Sequence, residues 1–472
     1  MTAPSRSDAT VQESREEAID TALPPHERSN RIAFWFVVLV GCAYLAGLIL
    51  KIDGLNGPYY WPRGWKSLPL IQTAGWLALP MLAFAAALYS IERRPAPRPL
   101  LPLALLALAH FGLQLGALMA HGGGLARLAA IVASPLATSY YNDAAAIQDV
   151  LPWLAHFHQA QLGLHSSTHP PGPILYYYAW LQSVGAARAA TFGGLGIAAI
   201  AALCVPMLHA FAGLWTEDRR ARLLCCAWYA LLPAPIVFLP EFDQIYPLFS
   251  IALAWAWVRA LDGSPRAAIA FGAAVAVAVF FAWNLLALGA FVVSYAAFRL
   301  WQERAPAQVL RTLVGAGLRA ATTIVAIYLL LGVCTGYDPL RSFHHAIETQ
   351  ALQAVPLGRR WLDCALLDPL DFLLGAGMLA APLLVLFALR VRSLGPRERA
   401  LSLCALATIL IVDLSGLLRA ETARVWIFLL PFAIVPAALE LLRFDPRRRA
   451  VLFALQGCIL LTLVVRLSFI DP

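Results

Sequence analysis

Charge is the first thing in short supply. Only 13% of the 472 residues are Asp, Glu, Lys or Arg, about half the share of an ordinary soluble domain. Lysine is nearly missing: of 35 basic residues, only Lys51 and Lys66 are Lys and the other 33 are Arg. No polar stretch is long enough to form a soluble domain, so the net charge of +8 has no basic groove to populate, which argues against a nucleic-acid partner. The eight cysteines show no metal-knuckle spacing. Cys225 and Cys226 are adjacent in an apolar run, where a free thiol behaves as a small hydrophobe. Cys334 and Cys364 bracket one loop and leave two options open, a disulfide or two unrelated thiols. Residues 1–30 are polar and mixed in charge, with no signal-peptide pattern, and read as a disordered cytoplasmic tail.

What fills the chain instead is hydrocarbon. Sixty per cent of the residues are hydrophobic and the mean hydropathy is +0.70. Apolar runs of about 20 residues recur, the length that crosses a bilayer as a helix. The expected spans are 32–50, 68–90, 100–120, 188–214, 222–240, 244–261, 267–281, 283–300, 319–335, 369–390, 400–418, 426–442 and 450–468. The fold class is therefore an all-α polytopic membrane protein of about thirteen transmembrane helices. The stretch 267–300 would be about 50 Å long as one helix, too long for a core about 30 Å thick, so a tight hairpin is expected at Trp283-Asn284. Ile174 to Val184, after Pro170, Pro171 and Pro173, is too short to cross and is expected to lie in the interface.

Charge fixes the sides. With these spans, one set of loops holds 20 basic residues and the longer loops of the other set hold 11, the remaining four lying before the first span. By the positive-inside rule the tail is cytoplasmic. Along the chain this gives a tail (1–30), two N-terminal helices (31–99), a core (100–300) with an outer loop at 121–187, and C-terminal helices (301–472) with an outer loop at 336–368.

Polar chemistry gathers on the outer side. Seven of the ten histidines fall there: His121, His156, His158, His165, His169, His344 and His345. In the first loop, Asn142-Asp143 follows two tyrosines, Asp149 comes six residues later, and His169 precedes a double proline that stiffens its backbone. Asp143 also suits an N-cap, and His156 and His158 suit a wet helix face. Glu241 and Asp243 sit in a short turn close to hydrocarbon, where a carboxylate is costly unless paired or functional; turn chemistry is the plainer reading. Arg419, Glu421 and Arg424 cluster in another outer turn, either as a phosphate grip or as a salt-bridged turn. The second loop adds His344, His345, Glu348, Arg359 and Arg360; His345 and Glu348, three apart, share a face if helical.

The order of Asp143, the amphipathic segment 150–167, His169-Pro170-Pro171 and Asp243 resembles the glycosyltransferase-C fold. The branch it looks most like is that of protein mannosyltransferases and lipid A aminoarabinose transferases. The resemblance covers 100–300 and continues beyond only by topology. Three things depart from it: two extra spans come first, no large C-terminal periplasmic domain follows, and the acidic pair is reduced to the single Asp of Asn142-Asp143. The resemblance implies a glycosyltransferase of the bacterial inner membrane and cell envelope. A polyprenyl-phosphate-linked sugar would be the donor, and a hydroxyl on a glycan, lipid or protein the acceptor. It further implies Asp143 as general base, and His169, Arg419 and Arg424 on the donor phosphate. Asp243 would support the acceptor or share a divalent cation with Asp143; Asn142, Glu241, Glu421, His344 and His345 would assist. Direct displacement would invert the anomeric centre. Two other readings stay open: a lipid or sugar transporter or flippase, for which only Asp413 is clearly embedded, and a non-catalytic assembly subunit on the same fold.

Overall fold

The computed structural model describes residues 25–93, 98–302, 306–354 and 359–471; most of the expected tail, and Arg94 and Arg304, lie outside them. Every regular element among the described residues is a helix. In order these are α1 (Pro25–Ile49), α2 (Leu70–Arg93), α3 (Leu100–Ala120), α4 (Gly124–Val132), α5 (Tyr140–Ala145), α6 (Val150–Ala155), α7 (Gly172–Val184) and α8 (Ala186–Ala212). There follow α9 (Arg219–Ala230), α10 (Ala234–Val237), α11 (Tyr246–Leu261), α12 (Pro265–Phe281), α13 (Gly289–Gln302) and α14 (Pro306–Thr335). The remainder are α15 (Pro339–Ala354), α16 (Trp361–Ala376), α17 (Ala380–Arg390), α18 (Pro396–Ser415), α19 (Thr422–Val425), α20 (Leu430–Leu441) and α21 (Pro446–Arg466).

Seven helices are long and apolar enough to cross a membrane, and α16 with α17, bent by 108°, makes an eighth if the pair counts as one span. The protein is membrane-embedded on this ground. These eight coincide with eight of the thirteen expected runs. The other five runs are helical too, but they are shorter, broken or more polar. Proline explains several of the breaks: Pro233 precedes α10, Pro247 sits in the first turn of α11, and Pro431 in that of α20. A proline lacks the N–H that would continue the ladder and fits at a helix start.

The hairpin is present. The chain leaves helical geometry at Ala282 (φ −161°, ψ 125°), and Arg299 near the end of α13 pairs with Asp262 just before α12, at 3.0 Å. The two ends of 265–302 therefore meet at one end of the molecule. At that same end Glu440, fully buried, receives Arg390 at 2.9 Å and Arg443 at 2.6 Å, and Arg449 binds Glu92. The arginines grouped by the span count thus come together in space. A charge surrounded by hydrocarbon is tolerated only with such a partner.

The opposite end is closed by loops. Residues 64–68 pair with 465–468 through Lys66 N–H to the Arg466 carbonyl at 2.7 Å and Ser468 N–H to the Gly64 carbonyl at 2.9 Å. Arg127 reaches Asp471 at 2.8 Å. Over this end lie α4 to α7, with α7 packed on α8 and α15 laid against the turns Phe157–Gln159 and Ser166–Thr168. All eight cysteines are free, Cys334 exposed and Cys364 buried, which removes the disulfide option.

Single-cysteine labelling in sealed vesicles checks the hairpin. Ser264→Cys and Gln302→Cys should react from one side and Asn284→Cys from the other. Labelling of positions 264 and 302 from opposite sides would mean that 265–302 crosses once.

Candidate functional site

Two segments at the loop end, the turn at Glu241–Asp243 and the turn Glu421–Arg424, meet at one guanidinium. Arg424, in the one-turn helix α19, donates through Nη1 to Glu241 at 3.0 Å and to Asp243 at 3.3 Å. Its Nη2 donates to Glu421 at 2.8 Å. The far oxygen of Glu421 takes Arg359 at 3.3 Å, and the Arg359 guanidinium stacks over the Trp61 ring, 5.3 Å from its centre. The carboxylates of Glu241 and Asp243 are buried, so their ionisation is decided by competition between desolvation and Arg424.

That competition divides the three acids. Burial pushes Glu241 up to about 8, against the pull of Arg424. Asp243 is also raised by burial, again opposed by Arg424. Glu421 goes the other way: burial alone would raise it, but Arg424 and Arg359 together hold it below the usual range. Arg424 itself stays charged, since Glu421, Glu241 and Asp243 outweigh its own desolvation. At neutral pH the group therefore holds a protonated Glu241 beside an ionised Glu421 and a charged Arg424.

The histidine loop borders this cluster. Tyr140, at the start of α5, packs edge-on against the His169 ring at 5.5 Å and against Phe242 at 6.0 Å. His169 turns its Nδ1 toward the His165 carbonyl at 2.8 Å, and burial lowers it to about 4, so the ring is neutral. Burial also lowers His165, and nearby Arg424 adds to this. Asp143 lies one turn after Tyr140. It is half-buried and accepts the Gly163 N–H at 3.0 and 3.3 Å, its only partner among the described residues. Ser139, with φ +53°, hydrogen-bonds Ser166 at 2.9 Å and fastens the same loop. The N-cap role expected of Asp143 belongs instead to Asp149, which accepts the Leu151 N–H of α6.

The structure brings together Glu241, Asp243, Glu421 and Arg424, with His169 beside them through Tyr140. Other nominated residues do different things. Asn142 is exposed and donates to the Ala133 carbonyl at 2.9 Å. Arg419 donates to the backbone carbonyls of Gly416 at 2.6 Å and Arg359 at 3.1 Å, so two of its donor positions hold the chain. His344 pairs with Glu348 at 3.5 Å, four residues on, and both are exposed; the segment is helical, as the shared face of His345 and Glu348 requires, and His345 is half-buried. The residues do not fit a divalent cation at Asp143 and Asp243. Asp243 faces a guanidinium, and no group of three or more His, Cys, Asp or Glu among the described residues is placed to hold a metal.

One supporting layer went unmarked in the sequence. Asp368 and Asp371 of α16, three apart and so on one face, grip the turn that carries Arg424. Asp368 accepts the Ala420 N–H at 3.2 Å, and Asp371 accepts the Ala423 N–H at 2.9 Å. Thr422 donates to the Asp368 carbonyl at 2.6 Å. Ala420 and Glu421 are both left-handed, at φ +64° and +52°, a costly pair without glycine that persists only when surroundings enforce it. Arg63 in turn binds Asp371, both side chains buried, and Tyr60 binds Asp368. The signals were an Asp-x-x-Asp spacing and a loop, 57–66, dense in aromatic and basic residues.

No family model matches the chain, and no curated protein matches it in sequence.

Two measurements follow from this geometry. Arg63→Met strands a buried Asp371 and should cost about 3–5 kcal/mol, read as an earlier thermal transition in detergent; Arg63→Met with Asp371→Leu should recover part of it. An unchanged transition in Arg63→Met would show the pair to be idle. The second concerns pH. Glu241 titrates near 4.5 when unfolded and at about 8 when folded, so the native state binds the extra proton between these values and stability falls as pH rises toward 8. Glu241→Gln should flatten that decline in melting curves from pH 5 to 9, and parallel curves would contradict the shift.

Proposed function

We propose that the chain is a glycosyltransferase-C-like enzyme of thirteen spans in a bacterial inner membrane. Its arginine-rich end would face the cytoplasm and its loop-covered end would face outward. There it moves a sugar from a polyprenyl phosphate to an acceptor hydroxyl. The observation that carries this reading is the presence at the loop end of a carboxylate, Asp143, with no ion pair among the described residues, together with a buried acid–base cluster around Arg424. The outer end meets no nucleotide sugar, so a lipid-linked donor suits it, and the lipid phosphate would arrive at the depth of these turns.

In this reading Asp143 takes the proton of the acceptor hydroxyl. The acceptor oxygen bonds to the anomeric carbon as the carbon–oxygen bond to phosphate breaks, and the polyprenyl phosphate leaves with the electron pair. One-step displacement inverts the anomeric centre. The charge growing on the leaving phosphate needs fixed positive partners. Arg424, with Arg359 behind Glu421, supplies that field more directly than Arg419. Glu241, protonated at neutral pH, adds a hydrogen-bond donor in place of a third negative charge. Neutral His169 contributes a ring nitrogen. A transport reading rests on Asp413, whose buried Oδ1 has no partner among the described residues; the ion pairs described above lie at the ends of the helices.

Membranes holding wild type, Asp143→Asn, Asp243→Asn and Glu241→Gln at equal expression, given a mixture of polyprenyl-phosphate sugars, test this. Transfer in wild type should fall by about 10²-fold or more in Asp143→Asn and clearly in the other two. Transfer indifferent to all three would sink the site assignment, and no transfer by wild type with an acceptor series present would sink the activity.

A further inference from the structure

A second feature lies far from the loop end. Between α8, α11 and α12 the surface opens into a groove of about 260 Å³, walled by Met207, Ala210, Ala252, Ala256, Ala270 and Ala274. Its walls are wholly apolar, and five of these six are alanines. The small alanine side chains leave this space unfilled, so the walls forgo the contacts that a close-packed neighbour would give.

The groove has a depth and a charged end. Trp255, half-exposed, lines its edge, seven residues before Asp262. That places the groove within roughly 10 Å of the arginine-rich end. One turn on, Arg259 is exposed and holds its guanidinium 5.8 Å from the centre of the Trp255 ring. The nearest carboxylate in sequence, Asp262, is already engaged by Arg299 at 3.0 Å and Arg397 at 3.3 Å. Among the described residues Arg259 has no ion pair. An aromatic ring and an uncompensated cation at the end of an apolar slot match the boundary between acyl chain and headgroup.

We propose that this groove is a binding site for one anionic phospholipid of the leaflet at the arginine-rich end. Its acyl chain lies along the alanines and its phosphate group meets Arg259. The lipid completes the packing of α8 against α11 and α12 as a side chain would. The electrostatic part is the attraction of a juxtamembrane basic residue for an anionic headgroup. The site is independent of the transfer reaction proposed above.

Native mass spectrometry of the purified full chain, given phosphatidylglycerol and phosphatidylcholine of equal chain length, reads it. Wild type should retain one phosphatidylglycerol at least threefold more than phosphatidylcholine. Arg259→Ala should keep lipid but lose that preference. Ala256→Phe and Ala270→Phe, on different helices, should each lose the retained lipid while eluting as a single species, so misfolding of one leaves the other to decide. Equal retention of both lipids by wild type would overturn the proposal, as would a preference that survives Arg259→Ala or lipid that survives both phenylalanines. Displacement of phosphatidylglycerol by polyprenyl phosphate at equal concentration would assign the groove to a prenyl chain and equally overturn it.

Discussion

One guanidinium shared among three carboxylates is the constraint around which the loop end is arranged. Arg424 cannot be buried without acids, and Glu241 and Asp243 cannot be buried without Arg424. The balance is uneven, because three acids around one base would leave excess negative charge. Burial resolves it by keeping a proton on Glu241, while Arg359 stabilises Glu421 from the far side. The turn between α10 and α11 is thereby tied to α19, and Tyr140 brings the histidine loop against both.

Backbone strain shows how firmly that arrangement is held. Ala420 and Glu421 take up left-handed geometry ahead of Arg424, and carboxylates from α16 capture the amides that this geometry exposes. Arg63 then locks α16 from a loop more than 300 residues earlier in the chain. The guanidinium is thus aimed by two successive layers of ion pairs, the inner one facing the loops and the outer one buried beneath. Such layering is how a site keeps its groups in register when the groups themselves sit on turns.

Much of this was legible in sequence, and the reason differs by element. Periodic apolar runs located the helices, and arginine counts predicted the hairpin at 267–300, which Arg299 and Asp262 bear out by meeting. The break falls at Ala282, one residue before the expected Trp283. The proximity of Glu241, Asp243, Glu421 and Arg424 could be suspected only because each sits in a short turn on the same side. Pairings across hundreds of residues leave no local trace, so Arg63, Asp368 and Asp371 were invisible as partners. Within α15 the ion pair forms at the four-residue step, from His344 to Glu348, a choice that helical spacing alone leaves open.

The pairing of Glu92 with Arg449, together with the short backbone ladder between 64–68 and 465–468, joins α1 and α2 to α21. A chain made from its N-terminus delivers the first two helices to the membrane hundreds of residues before their partner exists. The Arg449 partner of Glu92 and the 465–468 neighbour of 64–68 both lie in that late segment. The packing of α1 and α2 is thus completed by residues made about 350 positions later, so it belongs to the finished chain and not to the hairpin alone.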